Sequence, residues 1–138
     1  MSKLSKLHHY IYSQRRKFMS SVSNILGFLS FKLYFFGALL TNILTWVFTF
    51  LFRNQLSQDL IILHFNVDFG VDLIGNADQI FFMPILGLVI IVVNFFLLFA
   101  FLKNERFKFI GHLLLASACL ANLFILTALG PIYYINFR

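Results

Sequence analysis

Charge is scarce in this chain. Of its 138 residues, 12% are Asp, Glu, Lys or Arg, against roughly 25% in soluble domains. So short a chain with so few charges cannot cover an aqueous surface, which excludes a free-standing soluble domain. Cysteine is scarcer still. Cys119 stands alone inside an apolar run, which rules out an intramolecular disulfide and a cysteine-based metal cluster. Acidic residues number five, and none lies deep in an apolar run; nor does any Lys or Arg. Charges inside spans are the usual mark of pumps and ion relays, and that mark is missing. No repeat recurs along the chain, so an inverted-repeat transporter within it has no support. Length leaves room for one domain and no separate soluble module.

What is present is apolar bulk. Hydrophobic residues make up 60% of the chain, aromatics 19%, with 20 phenylalanines. Three apolar runs cover about 31–52, 80–102 and 109–135. A hydrocarbon core of roughly 30 Å needs about 20 helical residues, and each run is long enough. None carries the polar stripe of a soluble core helix. The expected fold class is therefore an all-α membrane protein: a three-span domain over 31–138, an outer loop at 53–79, and a basic N-terminal segment at 1–30. Only residues 103–108 join the second and third runs, so these spans must be antiparallel neighbours.

Orientation follows from the basic residues. Lys3, Lys6, Arg15, Arg16, Lys17 and Lys32 precede or enter the first span, and Lys103, Arg106 and Lys108 flank the second connector. The loop after the first span has Arg53 at its edge and all four aspartates, Asp59, Asp68, Asp72 and Asp78. Positive segments stay in the cytoplasm, so the N-terminus is expected inside and the C-terminus outside a cell membrane, with Arg138 a mild dissent. The net charge of +6 would point to nucleic acid in a soluble protein; here it sets orientation, and no nucleic-acid partner is expected. The first run is too long for a cleaved signal and reads as a signal anchor. Ahead of it, Phe18, Val22, Ile25, Leu26 and Leu29 recur at helical spacing opposite Ser20, Ser21, Ser23 and Asn24. Two readings stay open: an interfacial helix on an anionic leaflet, or a cytoplasmic extension of the first span.

Polar groups inside the spans are few. Thr41, Thr45 and Thr49 share a face of the first helix, with Asn42 beside them. Asn94 lies in the second span, and His112, Ser117, Cys119, Asn122 and Thr127 lie in the third. At 1.5 Å per residue, Asn94 and Ser117 fall at similar depth, as do Asn42 and Asn122. These groups are expected to meet across helices as packing glue, helped by Gly111, Ala116, Ser117, Ala118 and Ala121. His112 is expected at the inner interface. Pro84 fits the first turn of the second helix, Gly87 invites close packing, and Gly130-Pro131 should end or kink the third helix.

The outer loop carries the densest chemistry. A β-prone run, Leu60 to Val67, leads into a turn built from Asn66, Asp68 and Gly70. His64 and Asn66 should point the same way on that strand, and Asp68 and Asp72 can cap turns. A zinc or calcium site from His64 and the aspartates matches no established ligand spacing, and no nucleophile or water-activating group is present for acid–base catalysis. The expectation is therefore no enzyme, no cofactor and no metal. The series His64-Phe-Asn66, Gly70, Asp72 and Gly75, then a span opening with Pro84, resembles the small membrane domain of SdpI-type proteins. The likeness covers the first two spans and their loop. It implies a bacterial membrane protein of the kind that confers immunity to a secreted peptide toxin and signals to a repressor, with His64, Asn66, Gly70, Asp72 and Gly75 on the motif.

The function expected is that of a small non-enzymatic membrane protein binding through its outer loop and helix faces, in immunity or envelope sensing. Its expected partners are membrane lipids and a protein partner or further copies of itself. The alternative is an oligomeric channel or transporter, or an accessory subunit of a membrane complex, resting on the threonine face and Asn42, Asn94 and Asn122.

Overall fold

The structure, a computed structural model, describes residues 3–57, 59–66, 68 and 70–137, with the backbone alone at 3–7, 14, 17, 18, 24, 65 and 66. Val67, Arg138 and the Asn66 side chain thus lie outside what is described. The chain forms α1 (Lys3–Ile25), α2 (Leu29–Gln55), the strands β1 (Leu60–Asn66) and β2 (Gly70–Asn76), a 3₁₀ turn (Ala77–Phe81), α3 (Phe82–Phe101) and α4 (Phe107–Asn136). Three segments are long and apolar enough to cross a membrane: Leu29–Gln55, Ala77–Phe101 and Phe107–Asn136. This is an all-α, multi-pass membrane fold with a small two-stranded sheet.

The helices outrun the apolar runs because the backbone ladder continues into the polar flanks. The 27 residues of α2 span about 40 Å, enough to carry Arg53 and Gln55 past a hydrocarbon core. The 3₁₀ turn feeds α3 directly, and Asn76 starts it by accepting from the Asp78 N–H at 3.0 Å. α4 packs along both other spans, while α2 meets α3 over a shorter stretch. Large apolar side chains, such as Leu33, Leu40, Val89, Val93, Leu120 and Phe124, point outward. Lipid is the solvent that suits them.

The interior is layered. At the basic end, Ile25, Phe31, Leu98 and Leu115 form one buried cluster. At the hairpin end, Phe52, Ile61, Ala77, Ile80, Leu129 and Ile132 form another. Between them lies a polar layer of Asn42, Thr45, Thr49 and Asn122, all at most 3% exposed.

Three expectations change. First, α4 does not end at Gly130-Pro131 but runs to Asn136. Pro131 removes one N–H, yet Ile132 is buried in the hairpin-end cluster and Asn136 is anchored to β1, so tertiary contacts hold the last turn helical. Second, α1 is no continuous extension of the first span. Regular helix breaks at residues 26–28, where Phe28 is extended (φ −86°, ψ 125°). Third, a second strand follows the turn, where one β-prone run alone was expected. β2 pairs antiparallel with β1 through Leu60↔Asn76, Ile62↔Ile74, His64↔Leu73 and Asn66↔Gly70.

Candidate functional site

Two places gather the polar residues, the layer between the spans and the hairpin above them.

In the layer, Asn42 Nδ2 donates to the Pro84 carbonyl at 2.9 Å and to Asn122 Oδ1 at 3.1 Å. Asn122 Nδ2 donates to the carbonyls of Gly87 at 3.2 Å and Ala118 at 2.9 Å. Two amides thus tie all three spans together. Gly87 makes the contact feasible: a Cβ there would stand 2.6 Å from Asn42 Nδ2 and closer still to Asn122 Oδ1. Gly111 serves the Phe31 ring in the same way. The threonines look inward but bond along their own helix, Thr45 to the Thr41 carbonyl at 2.8 Å and Thr41 to those of Gly37 and Ala38 at 3.0 Å. The Thr49 hydroxyl is buried without a partner among the described residues.

Asn94 and Ser117 do not join this layer. Each bonds its own helix, Asn94 to the Ile90 carbonyl at 2.9 Å and Ser117 to that of Leu114 at 3.0 Å. The reason is phase. Gly87, Ile91 and Leu98 hold the buried face of α3 and leave Asn94 on its flank, and on α4 the buried residue is Ala118 while Ser117 is exposed. Equal depth does not make two residues face each other. His112 sits exposed at the basic end, edge-on to the rings of Phe31 and Tyr34 at 5.1 and 5.8 Å.

The hairpin is built differently. Its turn needs Gly70, whose φ of +80° is a left-handed value that glycine adopts without a Cβ penalty. Between the pairs Ile62↔Ile74 and His64↔Leu73, β1 carries one extra residue, Leu63; between His64↔Leu73 and Phe65↔Val71, β2 carries one, Asp72. Two compensating bulges therefore bracket His64, and bulges re-aim side chains. Leu63 turns toward the hairpin-end core. His64 Nδ1 lies 2.6 Å from Asp72 Oδ1, with both side chains exposed. Asp72 pairs with the histidine instead of capping a turn. The Asn66 side chain, expected to point the same way as His64, lies outside what is described. Asp68 sits exposed in the connecting turn. Gly75 is crossed so closely by the side chains of Gln79 and Leu63 that a Cβ there would clash.

The hairpin is fastened to the bundle at several points. Asn136 accepts from the Ile62 N–H at 2.9 Å and donates to the Ile62 carbonyl at 2.8 Å, reproducing with its amide the pair of bonds another strand would make. The Ala77 N–H donates to the Asp59 carbonyl at 2.9 Å, and Ile61 is buried among Phe52, Ile80 and Ile132. Arg53 Nε meets Asp78 Oδ1 at 2.6 Å. Sequence reasoning missed Asn136 and the Arg53–Asp78 pair. An amide in the final helical turn beyond an interfacial Tyr-Tyr was the available signal, but nothing in it named strand β1 as its partner. Below the hairpin, the hairpin-side halves of α2 and α4 leave an apolar groove of about 500 Å³ between Phe48, Leu51, Leu126 and Thr127, closed toward the hairpin by Gln55 and Tyr133.

Among the described residues, no third His, Cys, Asp or Glu groups with His64 and Asp72 to hold a metal ion. Searches against protein-family models, curated proteins and solved structures find no match to this chain.

Proposed function

We propose that this chain is a small non-enzymatic membrane protein whose hairpin recognises a partner on the outer side of a bacterial cell membrane, in the manner of an immunity or envelope-sensing protein. The observation that carries this reading is the His64–Asp72 pair, set by two bulges on a hairpin that is fastened to the spans yet exposed. Mobile tethers do not hold side chains in a fixed presentation; this hairpin does. Beside the pair, Val71, Leu73 and Ile74 are between 43% and 60% exposed, so the surface combines one hydrogen-bonding pair with apolar area, the composition of a recognition patch. The resemblance of His64-Phe-Asn66, Gly70, Asp72 and Gly75 to the SdpI-type loop motif supports the same reading, since Gly70 takes a left-handed φ and Gly75 lies under the crossing side chains of Gln79 and Leu63. Topology enters with it: the basic end faces the cytoplasm and the hairpin faces outside.

A solute or proton pathway through a single chain gains no support. The two amides of the polar layer are bonded to each other and to carbonyls, and apolar clusters close the layer on both sides. Asn42 and Asn122 are occupied in tying the spans, and Thr41, Thr45 and Asn94 bond carbonyls of their own helices, which leaves the Thr49 hydroxyl unpartnered among the described residues.

The test is a set of substitutions that leave the fold alone. His64→Ala and Asp72→Ala should give protein that inserts and unfolds like the parent, because both side chains are exposed, yet abolish capture of a secreted peptide or envelope partner from the producing cells. If both variants retain partner capture and any protection phenotype in full, recognition by the hairpin is wrong.

A further inference from the structure

Among the described residues, the amphipathic helix α1 makes no extended packing against any other element, and its chemistry defines what covers it. On a helix of 3.6 residues per turn, positions 4, 7, 11, 18, 22 and 25 fall within one narrow stripe, and in this sequence they are Leu4, Leu7, Ile11, Phe18, Val22 and Ile25. The stripe has two fates. Its C-terminal end is covered by protein, with Ile25 fully buried in the basic-end cluster beside Phe31, Leu98 and Leu115. About four turns away, Ile11 is 58% exposed. Ile11 and Ile25 share one face of α1, so the face that the bundle covers at Ile25 continues uncovered at Ile11.

Charge completes the case. Every charged residue of α1 is basic, and Arg15 and Arg16 are exposed. The same end of the bundle presents Lys32, Lys103, Arg106 and Lys108, also exposed, against Glu105 alone. Lys108 lies over the Phe28 ring at 5.2 Å, so the connector between α3 and α4 is placed beside the break that releases α1. An apolar stripe with Arg15 at its border and Arg16 on the opposite polar face, continuous with a basic bundle end, is complementary to an anionic lipid surface. A soluble acidic partner would match the charge but would leave the stripe uncovered.

We propose that α1 is an interfacial anchor that docks on anionic lipid at the basic end of the protein, its stripe at the headgroup boundary and its basic residues among the headgroups. This is independent of what the hairpin recognises. The full chain, with Cys119→Ala to clear the background, is labelled with an environment-sensitive fluorophore through Ile11→Cys or His9→Cys, on opposite sides of the same turn. It is placed one chain per nanodisc of phosphatidylcholine alone or with phosphatidylglycerol. Docking predicts that the label at 11 is shielded from acrylamide and quenched by doxyl lipid only when phosphatidylglycerol is present, while the label at 9 stays open to acrylamide. High salt should release it. Arg15→Gln with Arg16→Gln should shift the docked fraction toward free by about fivefold per charge. Equal acrylamide access at both positions in both discs overturns the proposal. So does shielding of position 11 that arises only when several chains share a vesicle, regardless of lipid charge, which would assign the stripe to a second copy.

Discussion

Asn42 and Asn122 show how little polar chemistry is needed to align three spans. Lipid supplies no hydrophobic drive between helices, so packing and interhelical bonds must do it. The two amides bond each other and carbonyls on α3 and α4, and Gly87 gives them room. Asn122→Ala should destabilise the bundle by about 1–2 kcal/mol, because it removes the bonds from Asn122 to Asn42 and to the Gly87 carbonyl from a buried layer and leaves Asn42 only its bond to Pro84. Gly87→Ala should cost a similar amount, roughly 1–3 kcal/mol by overpacking. Gly130→Ala, whose added methyl meets nothing within 4 Å, should change stability by less than about 0.5 kcal/mol. Unfolding in mixed micelles by SDS titration ranks the three; a Gly130 variant as damaged as the Gly87 variant would contradict this account. Residue types and depths in the layer were legible in sequence. The pairing was only half so, since Asn94 and Ser117 share a depth but not a helix phase with the residues they were expected to meet.

Among the elements, the hairpin is the one whose form depended on its surroundings. β1 could be foreseen from its β-prone run. Gly70–Asn76, with two glycines, an aspartate and an asparagine, looks like turn, and it becomes a strand because β1 offers it a ladder and Gln79 and Leu63 cross over Gly75. The far edge of β1 is satisfied by Asn136 at Ile62, a device that needs α4 to continue past Pro131. Asn136→Ala should therefore raise the exchange rate of the Ile62 amide about 5- to 30-fold, corresponding to roughly 1–2 kcal/mol of local stability. Arg53→Gln should do much less, because the Arg53–Asp78 pair is partly solvated, Asp78 being 67% exposed, and such pairs contribute about 0–1 kcal/mol. Hydrogen exchange read by mass spectrometry on peptides covering β1 separates the two. Unchanged exchange in the Asn136 variant would mean that burial of Ile61 alone holds the hairpin.

For the whole molecule, the arrangement is two apolar clusters around a polar waist, with a basic helix at one end and a fastened hairpin at the other. That polarity makes the topology testable. In a Cys119→Ala background, Asp68→Cys should react with a membrane-impermeant maleimide on intact cells, and Glu105→Cys should react only after the membrane is opened. The reverse pattern would invert the orientation drawn from the basic residues, and with it the side on which the proposed partner would be met. Span number, span limits to within a few residues and the uneven charge of the two ends were all set by the sequence alone, because hydrophobic length and charge placement are properties read along one dimension. The tertiary structure decided which amides meet, that Gly70–Asn76 is a strand, that His64 answers Asp72 across two bulges, and that Pro131 lies within a helix. Each of those depends on the rotation of one element against another, and rotation is settled only when the spans pack.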